Sequence, residues 1–457
     1  MSKNISKNNS TTMSKNNSNK GARTATACFQ PASRSRAAGS GGVSKKEYSY
    51  NRKFLRHANL SGNFRLCNES GSLKLYSEVD VNGLKGVVFE NNKKVMNAFP
   101  RVTDLVVGEG QITPIENKFI PNDEWVKSSR FTHHVEGALI RVYWASNTWN
   151  VSTQKKINAF NSKWSGPESF GETWAKGLIE HKEKNPEFLG DLPVAGATNN
   201  ILNHFFKTLN KKHQYVFVVR HTAENRQVCQ SPEKSTVFHI ATFIDDKLNV
   251  DDDVGLNKPD TVQFENVEEL VTLVESQDFA DHSGLMAHHP NGNWYKIQSR
   301  KYREMLTVRG NEPSLRFRYL QLRLDCEKVN QLYSLFPEMS ETFDNCEDSL
   351  YDLAKYIHTA YMDRFIRRRY VTLEREFFSI VRLCHEWHKQ DRQRNKVDLD
   401  KVIEVINTRY DHVLNKMIKM FNNMTEEEIH AERPSNNNRF HTESGSDPRS
   451  AVGSTRG

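Results

Sequence analysis

The chain has 457 residues, 37% of them hydrophobic and 10% aromatic, and a formal net charge of +8, which is enough chain for one large domain and a smaller one, each with its own core. No run approaches the ~18 apolar residues of a membrane span, and residues 1–46 lack the apolar stretch of a secretory signal, so membrane residence and export are not expected. Six scattered cysteines without CxxC or zinc spacing fit a reducing compartment.

The charge is unevenly placed. Residues 1–46 hold nine of the 64 Lys and Arg and no acid, so the remaining 55 face 56 acidic residues, a balance of −1. This Asn-, Ser-, Thr- and Gly-rich leader cannot bury enough apolar surface to offset its ordering entropy and reads as a disordered basic tail. It either holds nucleic acid loosely by counterion release or serves as a solubilising leader. A second polar tail, 432–457, is given no function.

Between the tails, Tyr48 to Val81 gives weak strand signals. GLKGVVFENNKKVMNAFP predicts a hairpin, with strands Lys85 to Glu90 and on to Met96 about an Asn91-Asn92 turn. Leu105 to Lys127 is mixed, broken by Pro114 and Pro121. From Phe131 to Val151 the alternation of Val135, Leu139 and Val142, then Trp149 and Val151 after a Ser-Asn-Thr break, predicts a second hairpin that begins with HVEG. The segment STQKKINAF turns to helical spacing, with Phe160, Trp164 and Phe170 expected inside. A helix follows from about Phe170, with Trp174, Leu178 and Ile179 on one side, and another covers Asn199 to Leu209. QYVFVVRHT and TVFHIATFID read as buried strands, Val267 to Glu275 as a helix, and HSGLMAHHPNGNWYKIQS as a strand, a Pro-Asn-Gly turn and a strand. Hairpins interspersed with helices indicate an antiparallel-rich α+β fold.

From Leu315 the spacing becomes helical. Residues 347–369, 374–390 and 398–421 carry apolar side chains at three- and four-residue steps, with Asp398 as N-cap of the last. The expected division is a core domain over 47–312 and an all-helical domain over 313–431.

Five stretches, in order, carry a family resemblance: GLKGVVFE with Phe99-Pro100; VEGALIRVYW followed by WxVSTxKK; YVFVVRHTAENRQV; SGLMAHH; and NWYKIQS. Together they resemble the ATP-dependent RNA ligases of the phage RNA ligase 1 branch and, more closely, RNA ligase-like proteins of large DNA viruses. The match covers roughly residues 80–310. It implies an antiparallel-sheet nucleotidyltransferase (ATP-grasp-like ligase) domain, an enzyme that adenylates itself and joins or repairs RNA ends, ATP and Mg²⁺ as cofactors, RNA as partner, and a viral protein in host cytoplasm or virion.

The departures fall on the chemistry. The family's lysine nucleophile is replaced by His134; two carboxylate positions hold Val218 and Ser283; and of a Lys-x-Lys pair only Lys296 remains, with Gln298 in the other place. Phosphoryl transfer needs an in-line nucleophile, cations for the developing charge and oxygen ligands for Mg²⁺. The resemblance implies His134 as the catalytic candidate and Glu136, Gly137, Arg141, Lys155 and Lys296 as nucleotide contacts. RNA contact is expected from Arg309, Arg316 and Arg318, which are interleaved with aromatics, and from Arg367 and Arg368 in a basic helical run whose other reading is a solvated face. His133, His134, His282, His288 and His289 lack metal-ligand spacing, so no metal site is expected. Two readings stand: an altered transferase using His134, and a ligase-shaped protein that binds RNA or nucleotide without chemistry. A third is a viral assembly component.

Overall fold

The computed structural model describes residues 64–79, 83–115, 119–190, 198–222 and 225–425, and the two expected tails lie outside these. The first four strands, β1 (Phe64–Ser70), β2 (Leu73–Glu78), β3 (Lys85–Glu90) and β4 (Lys93–Met96), form an antiparallel meander. Its last turn is the expected Asn91-Asn92 pair, with φ of 45° and 71°, the left-handed pair that matches strand twist in a two-residue hairpin.

The chain continues through β5 (Val102–Gly108), β6 (Gln111–Pro114), α1 (Asp123–Ser128), β7 (Arg130–His133), β8 (Ala138–Ala145) and β9 (Thr148–Thr153). Next come α2 (Phe170–Lys184), α3 (Thr198–Thr208), β10 (Gln214–Arg220), β11 (Thr236–Ile244), β12 (Lys247–Asn249), β13 (Thr261–Val262), α4 (Val267–Ser276), β14 (Leu285–His288) and β15 (Trp294–Ser299). These strands make two further sheets. One has five strands in the order β12-β11-β10-β8-β9; the other has six in the order β13-β7-β14-β15-β5-β6. All pairings are antiparallel except β15 with β5.

Period-two burial fixes which face each sheet turns to its helices. Ile140, Val142, Phe217 and Val219 pack under Trp174 and Leu178 of α2 and Phe205 of α3. Phe131, Leu285, Tyr295 and Ile297 pack under Trp125 of α1 and Leu270 and Val274 of α4. The intervening residues, among them Leu139, Val218, Met286 and Lys296, line the space between the two sheets. Helix α2 starts where its residues dictate: Ser169 and Glu172 cap each other reciprocally.

Three expectations change. HVEG does not open the β8–β9 hairpin. It is the link between β7 in the six-stranded sheet and β8 in the five-stranded one, so the alternation around Val135 is not continuous strand. The segment after β9 forms only a three-residue 3₁₀ turn, Ala159–Asn161, and Phe160, Trp164 and Phe170 are half-buried. The long helix expected over 398–421 is two, broken at Thr408–Tyr410.

The helical part comprises α5 (Arg300–Arg309), α6 (Leu315–Leu322), α7 (Cys326–Leu335), α8 (Ser340–Tyr361), α9 (Arg375–Gln390), α10 (Leu399–Asn407) and α11 (Asp411–Asn422). Asp398 caps α10 as expected, accepting from Lys401 N. Their apolar core runs on through Tyr302 and Val308 of α5 to Val228 and Cys229, so packing crosses the expected boundary at 312.

Arg141, expected to touch nucleotide, is fully buried in β8, where its guanidinium donates to the carbonyls of Gly86 and, at 2.6 Å, Thr153. Burial lowers its pKa to about 10, which leaves it charged at neutral pH. It ties the four-stranded meander to the five-stranded sheet. Arg141→Met would strand two buried carbonyls, and urea unfolding is expected to show a loss of about 2–4 kcal/mol.

Candidate functional site

The link from β7 to β8 crosses from one sheet to the other at the end of the space between them, and His134 sits at its start. The His134 N–H donates to Gly284 O at 2.9 Å. The Ser283 hydroxyl donates to His134 O at 2.7 Å, so its oxygen must accept from His134 Nδ1, also at 2.7 Å. That places the ring proton on Nδ1 and leaves the lone pair on Nε2. Burial, then the charge of Lys296, lowers the pKa to about 3, and the imidazole is neutral at pH 7.

Ser283 is itself held, since Gln298 Nε2 donates to its carbonyl at 2.9 Å, and Arg303 donates to Gln298 Oε1 at 3.3 Å. Lys296 lies two residues before Gln298 and therefore on the same face of β15. It pairs with Asp104 Oδ1 at 3.1 Å, while Asp104 Oδ2 meets Arg303 at 3.2 Å. Four positions flagged in the sequence, His134, Ser283, Lys296 and Gln298, thus meet at one place, and Val218 lies on the opposite wall.

The cleft holds about 330 Å³ and is lined by apolar side chains such as Leu139, Ile240 and Met286, by Arg130, Lys258 and Lys296, and by His133, His134, His239 and His288. No carboxylate is among the described lining residues. The Nδ1 atoms of His133 and His288 are buried without a hydrogen-bond partner among the described residues. Magnesium prefers oxygen ligands, above all carboxylates. A lining of ammonium, guanidinium and imidazole groups does not fit that ion, whereas it fits an anion.

Other expected contacts are placed differently. Both oxygens of Glu136 are taken: Oε1 accepts from the N–H of Gln227 and Val228, and Oε2 from Val228 and Cys229, all at 3.1 Å, and from Tyr302 Oη at 2.9 Å. Glu136 therefore braces the link to the 227–229 segment and to Tyr302. Gly137 borders the cleft, and its lack of a side chain is steric, because a Cβ there would lie 2.4 Å from Val219 O. Lys155 lines a different chamber on the far side of Gly137.

Arg309 is buried, donating to Arg226 O and Glu312 O, and Arg318 donates to Val308 O and Thr307 O. Arg316 donates to Asn415 Oδ1 at 3.1 Å. The donors of Arg309 and Arg318 are spent on protein acceptors, which does not favour the expected RNA contact, and Arg316 sits within the helical part, where α6 meets α11. Arg367 and Arg368 are exposed beside a π-helical turn, Met362–Ile366, with Arg367 paired to Asp363 at 3.1 Å.

Arg130 and Lys258 escaped the sequence reading. Arg130 pairs with Asp251, and Lys258 Nζ donates to Val250 O and Asp251 O at 3.2 and 2.9 Å. Lys258 sits in the acidic loop DDDVGLNKPD, where no motif marks it.

No known family profile matches the chain. It is similar to the immediate-early protein ICP-46 homolog of Invertebrate iridescent virus 6, at 26% identity over 366 residues, which cover 77% of this chain and 78% of that protein. Among solved structures, a putative ATP-dependent DNA ligase from Aquifex aeolicus aligns at 9% identity over 83% of this chain and 88% of its own, with a TM-score of 0.33. An archaeal ATP-dependent RNA ligase aligns at 11% identity over 66% and 76%, with a TM-score of 0.34. Superposition at these scores is too loose to carry an inference.

The buried imidazoles link stability to acid. His134 has a pKa of about 3, and His221, His239 and His288 each of about 4, in every case lowered first by burial. As pH falls through the unfolded value of about 6.5, the unfolded chain takes up protons that the folded one refuses, so stability falls from there down to about pH 4 and is intact above 7. Urea unfolding across a pH series is expected to show this decline, and His134→Gln to reduce the proton uptake by about one.

Proposed function

We propose that this chain is a viral nucleotide-binding protein of ligase-like nucleotidyltransferase shape, which grips the phosphates of a nucleotide in the cleft between its two larger sheets. The reading rests on the convergence of His134, Ser283, Lys296 and Gln298, far apart in sequence, at one end of a cleft with cationic lining. Lys296 takes a phosphate, with Arg130 and Lys258 adding positive potential, and the apolar walls take the base. The similarity to a viral immediate-early protein supports the viral assignment and action within an infected cell. RNA, if held, falls to the exposed arginines around Arg367 and Arg368.

A second reading is favoured by the His134 tautomer. With its proton fixed on Nδ1, the Nε2 lone pair is free to attack the α-phosphorus of ATP. A bond forms between Nε2 and phosphorus, the bond to the bridging oxygen breaks, and pyrophosphate leaves with the electron pair. The cleft's cations would stabilise the leaving group.

Equilibrium binding of a fluorescent ATP analogue separates these possibilities from none. Binding is expected to persist in EDTA and to weaken about tenfold in Lys296→Ala. No binding at all, or binding that needs Mg²⁺ and is indifferent to Lys296, would sink the reading. Incubation with ATP labelled at the α-phosphate is expected to leave no covalent label; an acid-labile label lost in His134→Ala would decide for the transferase.

A further inference from the structure

On the far side of Gly137 lies a second chamber of about 480 Å³, which shares Gly137, Leu139 and Gln154 with the cleft. Its size is that of a small-molecule site. Five cationic side chains line it, Lys155, Lys156, Lys163, Arg220 and Arg226, against one carboxylate, Glu136, whose oxygens are already occupied by backbone N–H groups and Tyr302.

Two of these cations are anchored to its wall, Arg220 through Gln230 O at 2.7 Å and Arg226 through Val228 O and Cys229 O at 3.2 and 3.1 Å, and the charge of Arg226 is met by Glu338 at 3.4 Å. The lysines at 155 and 156 differ. Their backbone N–H groups both donate to Thr153 Oγ1, at 3.3 and 3.1 Å, and Thr153 N donates back to Lys156 O at 2.9 Å. That tight turn fixes where the two side chains start, while their exposed ammonium groups have no hydrogen-bond or ion-pair partner among the described residues.

A neutral donor completes the set. His221, 9% exposed, lines this chamber, and burial lowers its pKa to about 4. Its Nδ1 accepts from Asn225 Nδ2 at 3.1 Å, which puts the ring proton on Nε2, and that atom is buried without a partner. An unpaired buried N–H costs stability unless an acceptor meets it. Unpaired ammonium groups, the Arg220 guanidinium and a spare N–H around one enclosure are groups that hold a phosphate dianion.

We infer that the chamber formed by the Thr153–Lys156 turn, the end of β10 and the 225–232 segment is a second anion site, which binds a phosphomonoester. This site does not depend on the cleft reading, and it moves Lys155 from the nucleotide cleft to a separate ligand. The phosphate group is the shared chemistry, whether free, on a mononucleotide or at the end of an RNA strand.

The test uses the full chain, a fluorescent 5′-phosphorylated RNA oligonucleotide and its unphosphorylated twin, with inorganic phosphate and AMP as competitors. The phosphorylated probe is expected to bind at least about tenfold tighter than its twin, and the double variant Lys155→Glu, Lys156→Glu to remove that preference. Both lysines are exposed, so the variant retains its fold, which thermal unfolding verifies. Lys296→Ala, in the cleft, is expected to leave the preference within about twofold. Displacement by inorganic phosphate or AMP would support the site and identify the smallest group it accepts. Equal binding of the two oligonucleotides would overturn the inference, and so would a preference that survives the double variant or is lost in Lys296→Ala.

Discussion

One carboxylate organises the structure around the cleft. Glu136 stands in the link between the two larger sheets, and its two oxygens collect three successive N–H groups, Gln227 to Cys229, and the Tyr302 hydroxyl. Hydrogen bonds to an ionised acceptor are roughly twice as strong as neutral ones, and a half-buried carboxylate with this many donors has little reason to release any. The bond to Tyr302 reaches α5, whose packing belongs to the helical core. Sheet crossing, following segment and helices are thereby joined through one side chain. His134, two residues before Glu136, inherits its position from that anchor and from Ser283.

A price is attached to that use. An acidic residue spent on bracing cannot also contact a ligand, and the same substitution of role recurs nearby. Asp104 is shared by Lys296 and Arg303, and Asp251 pairs with Arg130, so the acids near the cleft hold its cations in place and do not line it. The cleft face is left with positive charge and neutral imidazoles. Such a face attracts phosphate directly, and its chemistry is restricted to what a nitrogen lone pair and fixed cations can do.

Much of this was legible in the residues. The Asn91-Asn92 and Ser146-Asn147 turns and the Asp398 cap are local effects, and local rules found them. Lys296 and Gln298 were marked by the family's Lys-x-Lys spacing, and β15 puts both on one face. What escaped was non-local or double-valued. Whether Arg141 meets a ligand or a carbonyl depends on how the meander packs on β8, which no spacing encodes. Arg309 and Arg318, interleaved with aromatics, have the pattern of a nucleic-acid surface and also that of a buried junction, and it is burial that separates the two. The parallel pairing of β15 with β5 joins residues almost two hundred positions apart, and Lys258 arrives in the cleft from an acidic loop. HVEG looked like strand because Val135 keeps the alternation, although the chain there is changing sheets.

The change of sheet is what makes two chambers out of one gap. A link that leaves β7 and enters β8 must pass close beside β10, and at Gly137 it does so with no room for a Cβ against Val219 O. On one side of that contact lie His134 and Lys296, on the other Lys155, Lys156 and His221. The Glu136 brace keeps the link from withdrawing, so the partition is fixed and does not depend on a ligand to form it. Gly137, Leu139 and Gln154 border both spaces, so one stretch of backbone serves as a wall of each.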